Sequence, residues 1–414
     1  MSEDTYLFPE EPKPRRRGWL AALLVTVMVA TGVGIATVGG GFFYVSNQLS
    51  AAGIEVFSTD GETFAPPTAA EINGPINVLV IGSDTREDQG GVNYGEVGTN
   101  LADVIILLHI AEDRSNAVAM SFPRDLMVPV PACPNPDGGE PFPAKDFIQI
   151  NSTMNYGGAA CTLLAVQALT GVTIPYLGVV DFKGVIAMSE AIGGVEVCVS
   201  EPINDDKSKL YLDAGYHTLE GADALAFLRT RYGVGDGSDL SRISNQQVFL
   251  TSLVRKLKDE GALTNPFTMF RLATAALENM TLSKSLTDIG VLFGLAREVN
   301  DVDLDKITFI KLPVYDLEGE YAGRVAPIPD RSQLLFDLIA NDEPLILENA
   351  NPGPGAIVVE DPAANDDTQP TESAEPIKTT DPTVEDAEAT TEPTPETLPT
   401  WVQGTNASVT SCSN

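Results

Sequence analysis

An uninterrupted apolar segment constrains this chain of 414 residues more than any other feature. Between Trp19 and Val45 there are 27 residues without a charged side chain, and most of them are Leu, Val, Ala or Gly. This length is sufficient for a helix to cross the roughly 30 Å hydrocarbon core of a bilayer. We therefore predict one transmembrane helix over residues 18–45. A cleaved signal peptide is the alternative, but its apolar core would be shorter and a small-residue cleavage site would follow it.

Basic residues predict the orientation of this segment. Arg15, Arg16 and Arg17 precede it directly, and the next basic residue is Arg86. Because basic flanks stay on the cytoplasmic side, we expect a single-pass protein of the cell membrane with residues 1–17 inside. Residues 46–75 then form an extracytoplasmic stalk, and everything that follows also lies outside.

Short apolar runs rich in β-branched residues alternate with segments of helical spacing. Three runs predict buried strands, at Asn77–Gly82, Val104–Ile110 and Asn116–Phe122. Three segments predict helices, at Ala222–Thr230, Leu240–Glu260 and Thr268–Asn279. This alternation predicts an α/β or α+β domain over residues 76–350.

The composition changes after residue 350. Residues 352–414 contain 9 Pro and 12 Asp or Glu but a single Lys, with few large apolar side chains. A segment of this composition cannot bury enough apolar surface to fold, so residues 351–414 are predicted to be a disordered acidic tail. Residues 401–412 are less acidic and are the part of the tail that could dock.

The charge balance excludes several classes of function. The chain has 58 acidic and 25 basic side chains and a formal net charge of -33, which would repel a nucleic acid. Only two histidines are present and no Cys-x-x-Cys pair occurs, which argues against zinc and thiol redox sites. Carboxylate oxygens remain as metal ligands, and they suit Mg²⁺ or Mn²⁺.

Charged side chains flank the three predicted strands. Asp84 and Arg86 follow the first strand, and Asp103 precedes the second. Arg124 and Asp125 follow the third. If the second and third strands form a hairpin and the first runs parallel to the third, two carboxylates and two guanidinium groups meet at one sheet edge, as a phosphate and metal site would require. They are those of Asp84, Asp103, Arg86 and Arg124. The alternative is local: a turn shaped by Asp84 and an ion pair between Arg124 and Asp125.

A second basic cluster surrounds the loop between the first two predicted helices. It comprises Arg229, Arg231 and Arg242, and Gln246 lies on the same face of the second helix as Arg242. Ser238 or Asp239 is expected to cap the second helix. Guanidinium groups bind phosphate oxygens in bidentate geometry, so this cluster favours a phosphate site. The alternative is that its arginines pair with Asp236 and Asp239 across the loop.

Four cysteines outside the cytoplasm favour disulfides. Cys133 and Cys161 flank a Pro- and Gly-rich loop, and we expect a bridge between them. Cys198 would then be free to pair with Cys412, although the sequence alone allows three pairings.

Together these motifs resemble the LytR-CpsA-Psr family. The matching blocks lie between residues 76 and 260, and they are NVLVIGSDTR at Asn77–Arg86, Asp103, SFPRDL at Ser121–Leu126, INSTMNYGG at Ile150–Gly158, Val180–Val199 and Leu219–Gln247. The Gly-Asp-Gly-Ser-Asp loop, the cysteine-flanked insertion and the tail that closes on Cys412 are most similar to actinobacterial members.

The resemblance implies a fold, an activity and partners. The fold would be a central mixed β-sheet flanked by helices, with a hydrophobic pocket for lipid. The activity would be that of a Mg²⁺-dependent phosphotransferase, with Mn²⁺ as a possible substitute. It would join a glycopolymer from a polyprenyl-pyrophosphate carrier to peptidoglycan through a phosphodiester. Its partners would be the carrier-linked polymer, peptidoglycan and the membrane, with no nucleic acid.

The resemblance also assigns roles to individual residues. Asp84 and Asp103 would hold the metal, and Arg124, Asp125 and Asp103 would be catalytic. The pyrophosphate would be bound by Arg86, Arg124, Arg229, Arg231, Arg242 and Gln246.

The chain departs from the family pattern at three positions. Leu101, Gln149 and Asn245 stand where the family usually has basic residues. Their neutral side chains keep two other interpretations open: a pyrophosphatase acting on lipid-linked intermediates, and a non-catalytic protein that binds the carrier lipid.

Overall fold

The computed structural model describes residues 53–58, 63, 72–85, 100–136, 138–359 and 397–414. Residues 52–414 form one compact unit. The predicted cytoplasmic residues 1–17, the predicted membrane segment 18–45 and Arg86 lie outside the described residues. Within the described ranges, no helix has both the length and the hydropathy that crossing a membrane requires.

Strands and helices alternate along the described chain. The strands are β1 Ile76–Ser83, β2 Ala102–Ile110, β3 Ala117–Phe122, β4 Met127–Val130, β5 Lys145–Gln149, β6 Tyr176–Val180, β7 Val195–Val199, β8 Ile203–Asp205, β9 Leu210–Leu212, β10 Gly215–Leu219, β11 Met280–Leu282, β12 Ile307–Lys311, β13 Val314–Asp316, β14 Val325–Pro327, β15 Ala356–Val358, β16 Gly404–Asn406 and β17 Ser411–Ser413. The α-helices are α1 Thr153–Thr170, α2 Phe182–Ile192, α3 Gly221–Arg229, α4 Asp239–Asp259, α5 Pro266–Asn279, α6 Ile289–Asp301 and α7 Pro329–Ala340.

A mixed sheet forms the centre of the fold. Its order is β11-β6-β1-β2-β3-β12-β16, with β1 parallel to β6 and β3 parallel to β12. The other pairs are antiparallel. Its central strands carry near-continuous apolar runs because both faces are covered, and Leu79, Leu107 and Met120 are fully buried. This confirms the predicted α/β class and the central mixed sheet.

A smaller sheet packs against α4. Its order is β10-β7-β17-β15, and its core contains Val195, Val197, Phe227 and Val248. The three helices predicted from apolar spacing correspond to α3, α4 and α5, with ends within two residues of the prediction. Local periodicity was sufficient for α3 and α5, which each keep an exposed side, and it also located α4, although α4 is buried all round from Ser241 to Phe249.

The described parts of the carboxyl-terminal region are folded, which differs from the disorder predicted for residues 351–414. β15 and β17 lie in the smaller sheet, and β16 pairs with β12 at the edge of the central sheet. Leu398 and Val402 are buried in the main core. Averaged composition concealed these short segments, whose backbone groups are satisfied by strands far away in sequence. Residues 360–396 lie outside the described residues.

Part of the predicted stalk also packs on the domain. The backbone N–H of Ile54 donates to Leu282 O at 2.9 Å, and Val56 is buried in the main core. The unit therefore begins before residue 76, where the sequence placed its start.

Both cysteine pairs lie within disulfide reach. The Cα atoms of Cys133 and Cys161 are 5.1 Å apart, and those of Cys198 and Cys412 are 4.5 Å apart. The sequence left three pairings open, and the fold favours the pairing of Cys133 with Cys161 and of Cys198 with Cys412.

Candidate active site

The predicted hairpin places three charged residues at one edge of the central sheet. β2 and β3 pair antiparallel with Ile105 opposite Phe122, and β1 pairs with β2 on the other side. The end of β1, the start of β2 and the end of β3 therefore meet. The Arg124 Nη1 group donates to Asp103 Oδ1 at 2.8 Å. Asp84 lies beside them, where its Oδ1 accepts from the backbone N–H of Leu101 at 2.9 Å.

The second basic cluster reaches the same edge. α4 begins after Ser238, whose side chain accepts from the N–H of Ser241 as an N-cap. One turn into this helix, Arg242 is 4% exposed, and its Nη2 donates to the backbone oxygen of Asp103 at 2.9 Å. The two clusters that the sequence presented separately thus form one site.

Asp239 joins the arginines of both clusters. Its Oδ1 lies 2.6 Å from Arg242 Nη2, 3.4 Å from Arg124 Nε and 3.9 Å from Arg231 Nη2. The pairing predicted as the local alternative is therefore present for Arg231 and Arg242. It does not exclude phosphate binding, because the contact to Arg231 is long and the Arg231 side chain is 26% exposed and lines a cavity.

Burial and neighbouring charges act differently on the two central arginines. Burial by itself lowers the pKa of Arg124, but the carboxylates of Asp103, Asp239 and Asp125 outweigh it and raise the pKa of Arg124. Burial dominates at Arg242 and lowers its pKa to about 10, although Asp239 opposes this. Both side chains remain cationic at neutral pH.

A cavity of about 590 Å³ extends from this edge. Asp84, Asp103, Arg124, Arg229, Arg231, Arg242 and Gln246 all contribute to its wall. The remaining wall is mainly apolar and includes Val80, Ile106, Met188, Ile192, Leu225, Leu250, Leu253 and Leu257. Arg229 also lies over the Phe182 ring, 4.3 Å from its centroid. The cavity wall therefore has a cationic region and an apolar region.

Asp125 is not among the described residues that line the cavity. Its Oδ1 accepts from Gln149 Nε2 at 2.6 Å and from Arg324 Nη1 at 3.1 Å, while its Oδ2 lies 3.6 Å from Arg124 Nε. This geometry suits a residue that orients Arg124 rather than one that contacts the reacting atoms.

Two of the neutral residues that stand where the family usually has basic ones, Gln149 and Asn245, form hydrogen bonds within the protein. Gln149 binds Asp125, as described above. Asn245 is fully buried, with its Nδ2 donating to Phe227 O and its Oδ1 accepting from Ser413 Oγ, both at 2.6 Å. Asn245 therefore connects α3, α4 and β17 and does not line the cavity.

Sequence reasoning missed the central role of Asp239 and the participation of Asp205. Asp239 was considered only as a helix cap and as a partner in a local ion pair. Asp205 accepts from Thr230 Oγ1 at 2.8 Å and from the N–H of Arg231 at 3.3 Å. The capping pattern around Ser238 pointed to the position of Asp239, whereas no local signal identified Asp205.

The carboxylates provide a partial ligand set for a metal ion. Among the described residues, no group of three or more His, Cys, Asp or Glu side chains is arranged to hold one. Asp84 and Asp103 nevertheless line one cavity with the arginines. Mg²⁺ is commonly bound by one or two carboxylates together with substrate phosphates and water, so these residues fit that ion.

Comparison with known proteins places these features in a family. The LytR_cpsA_psr family matches residues 42–328. The cell wall biosynthesis protein LcpA of Corynebacterium glutamicum is 27% identical over 341 residues, covering 76% of this chain and 63% of LcpA. The probable cell wall biosynthesis protein LcpB of the same organism is 28% identical over 53% of this chain and 51% of LcpB. The chain thus spans about half to two thirds of these relatives.

A further relative and two solved structures are similar over much of their length. The polyisoprenyl-teichoic acid–peptidoglycan teichoic acid transferase TagT of Bacillus subtilis is 26% identical, covering 58% of this chain and 69% of TagT. The structure of gbs0355 from Streptococcus agalactiae matches with a TM-score of 0.52 and 20% identity, covering 66% of this chain and 89% of that one. The TagV structure from B. subtilis matches with a TM-score of 0.51 and 20% identity, covering 65% and 97%. These two share the fold, and the chain belongs to the LytR-CpsA-Psr family.

Proposed function

We propose that this protein is a membrane-anchored phosphotransferase that joins a glycopolymer from a polyprenyl-pyrophosphate carrier to peptidoglycan. The single observation that carries this proposal is the cavity, whose wall has arginines and carboxylates in one part and apolar side chains in the rest. A polyprenyl pyrophosphate has the same two parts, an anionic headgroup and a hydrocarbon chain. The names of the teichoic acid transferase relative and of the two cell wall biosynthesis relatives support it.

The reaction requires stabilisation of charge on phosphate oxygens. The acceptor hydroxyl oxygen forms a new bond to the phosphorus that carries the polymer, and the bond from this phosphorus to the lipid phosphate breaks. In the net balance the hydroxyl proton goes to the released polyprenyl phosphate. Arg124, Arg231 and Arg242 hold the equatorial and leaving oxygens, and such preorganised donors supply most of the catalysis in phosphoryl transfer.

The metal is part of the proposal. Asp84 and Asp103 would hold Mg²⁺, which would neutralise charge on the bound pyrophosphate. Five cationic and four acidic side chains of the described residues line the cavity, so the wall alone offsets little of the charge of a pyrophosphate. A divalent ion supplies the missing positive charge. Mn²⁺ has similar ligand preferences and should substitute.

The location follows from the amino-terminal sequence. Residues 18–45 would anchor the protein, and the basic residues before them would keep residues 1–17 in the cytoplasm. The domain would then face the cell wall. In that oxidising compartment we expect both cysteine pairs to form disulfides.

Transfer by the purified full chain tests the proposal. The donor is a polyprenyl pyrophosphate bearing a short N-acetylglucosamine-linked polymer, the acceptor is peptidoglycan, and both phosphodiester and released polyprenyl phosphate are measured with Mg²⁺. Arg124→Ala should lower the rate about 100-fold to 1000-fold, the cost of losing one preorganised donor. Arg331→Ala is the control, because this arginine lies on the exposed surface of α7 against Trp401 and does not line the cavity.

Three outcomes would contradict the proposal. Equal transfer rates for Arg124→Ala and Arg331→Ala would show that the arginine site takes no part in the reaction. Release of phosphate without an acceptor would identify a pyrophosphatase. Retained carrier binding with no turnover in Mg²⁺ would identify a non-catalytic lipid-binding protein.

A further inference from the structure

An exposed tyrosine lies directly after the arginine that reaches the mouth of the cavity. Arg242 is 4% exposed, the Arg231 side chain is 26% exposed, and Tyr232 is 66% exposed. All three line the same cavity. Exposure of the side chains in this wall therefore increases from the Arg242 guanidinium to that of Arg231 and then to the Tyr232 ring.

The segment that carries this tyrosine is fixed to the β8–β9 hairpin by a buried carboxylate. Asp205 is 2% exposed and accepts from Thr230 Oγ1 and from the N–H groups of Arg231 and Lys207, the last at 2.9 Å. Burial by itself raises the pKa of Asp205, but the hydrogen bonds from Thr230, Lys207 and Ser208 outweigh it and lower the pKa to about 2. Asp205 is therefore ionised at any working pH and holds both chain segments.

The hairpin and the tyrosine are in close contact as a result. Lys207 Nζ lies 3.9 Å from the centroid of the Tyr232 ring. Gly233 follows at a point where a Cβ atom would lie 2.7 Å from Ile203 Cγ2, so only glycine permits this approach. The ring is thus held in place beside an ammonium group while most of its surface remains open.

We propose that Tyr232 and Lys207 form a subsite for the sugar ring attached to the carrier pyrophosphate. This inference rests on the proposed function. A sugar bonded to a phosphate held by Arg231 must occupy the space next to that arginine, which is where Tyr232 lies. A pyranose ring has an apolar C–H face that packs on an aromatic ring, and its hydroxyl oxygens accept hydrogen bonds from an ammonium group.

The position of the ring favours a sugar over the lipid. The apolar side chains of the cavity wall suit the hydrocarbon chain, whereas Tyr232 contacts Lys207 and follows Arg231 in the chain. If Tyr232 served only Lys207, the contact would be an ordinary exposed cation–π pair, which stabilises a protein weakly. Such a contact alone would not require the ring to lie in the cavity wall.

Two carriers that differ by one sugar test the subsite. The full chain in detergent with Mg²⁺ is titrated by calorimetry with geranylgeranyl pyrophosphate and with the same lipid pyrophosphate bearing one N-acetylglucosamine. The native chain should bind the sugar-bearing carrier roughly tenfold more tightly, as one good stacking contact allows. Tyr232→Leu should abolish this difference without changing the affinity for the sugar-free carrier, and Tyr232→Phe should keep most of it.

A matched control lies on the same hairpin. Tyr211 is also exposed, at 56%, but it does not line the cavity. Tyr211→Leu should leave the affinities for both carriers unchanged. Thermal unfolding of both leucine variants checks folding, and a purely structural tyrosine would lower the melting temperature without altering the ratio of the two affinities.

Several results would overturn the inference. Equal binding of the two carriers by the native chain, or an equal loss of both in Tyr232→Leu, would remove the subsite alone. A failure of the native chain to bind either carrier would overturn the proposed function and the subsite with it. A free N-acetylglucosamine–N-acetylmuramic acid disaccharide is the third probe. If Tyr232→Leu weakens its binding and leaves the preference between carriers intact, the ring serves the acceptor and the assignment to the carrier sugar is wrong.

Discussion

Asp239 determines how several positive charges coexist in the free protein. It contacts Arg124, Arg231 and Arg242, and its side chain is only 17% exposed. Guanidinium groups gathered around one carboxylate repel one another strongly where little water screens their charges. The carboxylate therefore holds the arginines together until an anionic ligand arrives.

Asp239→Asn should destabilise the ligand-free protein by about 3 kcal/mol, the lower end of the cost of breaking a buried ion pair. Saturating inorganic pyrophosphate should restore part of this loss, because the anion replaces the missing negative charge. Urea denaturation with and without pyrophosphate measures both effects. Asp223→Asn, at an exposed position in the first turn of α3, is the control and should change stability little. Equal losses in the two variants would contradict the role given to Asp239.

A second buried charge lies outside the cavity wall. Lys311 on β12 is 3% exposed, and its Nζ donates to Ser244 Oγ, to Leu240 O at 3.3 Å and to Pro352 O at 2.8 Å. Burial lowers the pKa of Lys311 to about 7, although Asp236 opposes this.

This lysine should make stability depend on pH. Between about pH 7 and 10.5 the unfolded chain binds a proton at Lys311 that the folded chain does not, so the free energy of unfolding should rise with pH in this window. The slope for one proton is at most about 1.4 kcal/mol per pH unit. Guanidinium denaturation of the native chain and of Lys311→Met at pH 7, 8.5 and 10 isolates this contribution, which the variant should lack. Parallel pH profiles would show that Lys311 titrates normally.

At the scale of elements, the loop between α3 and α4 is fixed by its glycines. Gly235 has a φ of +50° and Gly237 a φ of +75°, a region that other residues rarely adopt. A Cβ atom at Gly235 would lie 2.7 Å from both Gly355 N and Ser241 Oγ, whereas one at Gly237 has no heavy atom closer than 3.6 Å. Of these two glycines, only Gly235 packs against the chain before β15.

The two glycines provide a matched comparison. Gly237→Ala should cost about 1 kcal/mol, the penalty for a left-handed backbone. Gly235→Ala should cost about 3 kcal/mol, because overpacking adds to the same penalty. It should also weaken pyrophosphate binding, since Arg231 and Arg242 lie on either side of this loop. Chemical denaturation and pyrophosphate titration of both variants measure this, and equal costs would show that the close contact at Gly235 is unimportant.

At the scale of the whole molecule, the carboxyl-terminal region completes both sheets. Leu398 and Val402 are buried in the main core, and Ala356 is buried in the second core. β17 lies between β7 and β15, so its removal would separate β15 from the rest of its sheet.

A chain ending at residue 350, the domain end that composition predicts, should therefore be less stable than the full chain by at least about 4 kcal/mol, the contribution of two buried apolar side chains. A chain ending at residue 410 lacks only β17 and should lose less. Thermal and urea unfolding of the three chains test this order. Equal stability of the shortest and the full chain would show that residues 351–414 are not part of the folded unit.

The sequence by itself determined the elements that form the edge of the sheet. Short apolar runs identified β1, β2 and β3, and helical spacing identified α3, α4 and α5, because both signals are local in the sequence. The positions of Asp84, Asp103 and Arg124 followed, since a hairpin and a parallel strand bring those chain positions to one edge. The arginines of the second cluster were also identified from the sequence, around the loop between two predicted helices, and the family resemblance then assigned them to the pyrophosphate.

Only the tertiary structure decided which distant groups satisfy one another. Asp205 holds Thr230 from 25 residues away, and Ser413 donates to Asn245 from 168 residues away. No local pattern carries such information, because a buried polar group needs a partner in space and not at a fixed spacing along the chain. For the same reason composition predicted disorder where β16 and β17 pair with β12 and β7, which lie much earlier in the chain, and where β15 pairs with β17.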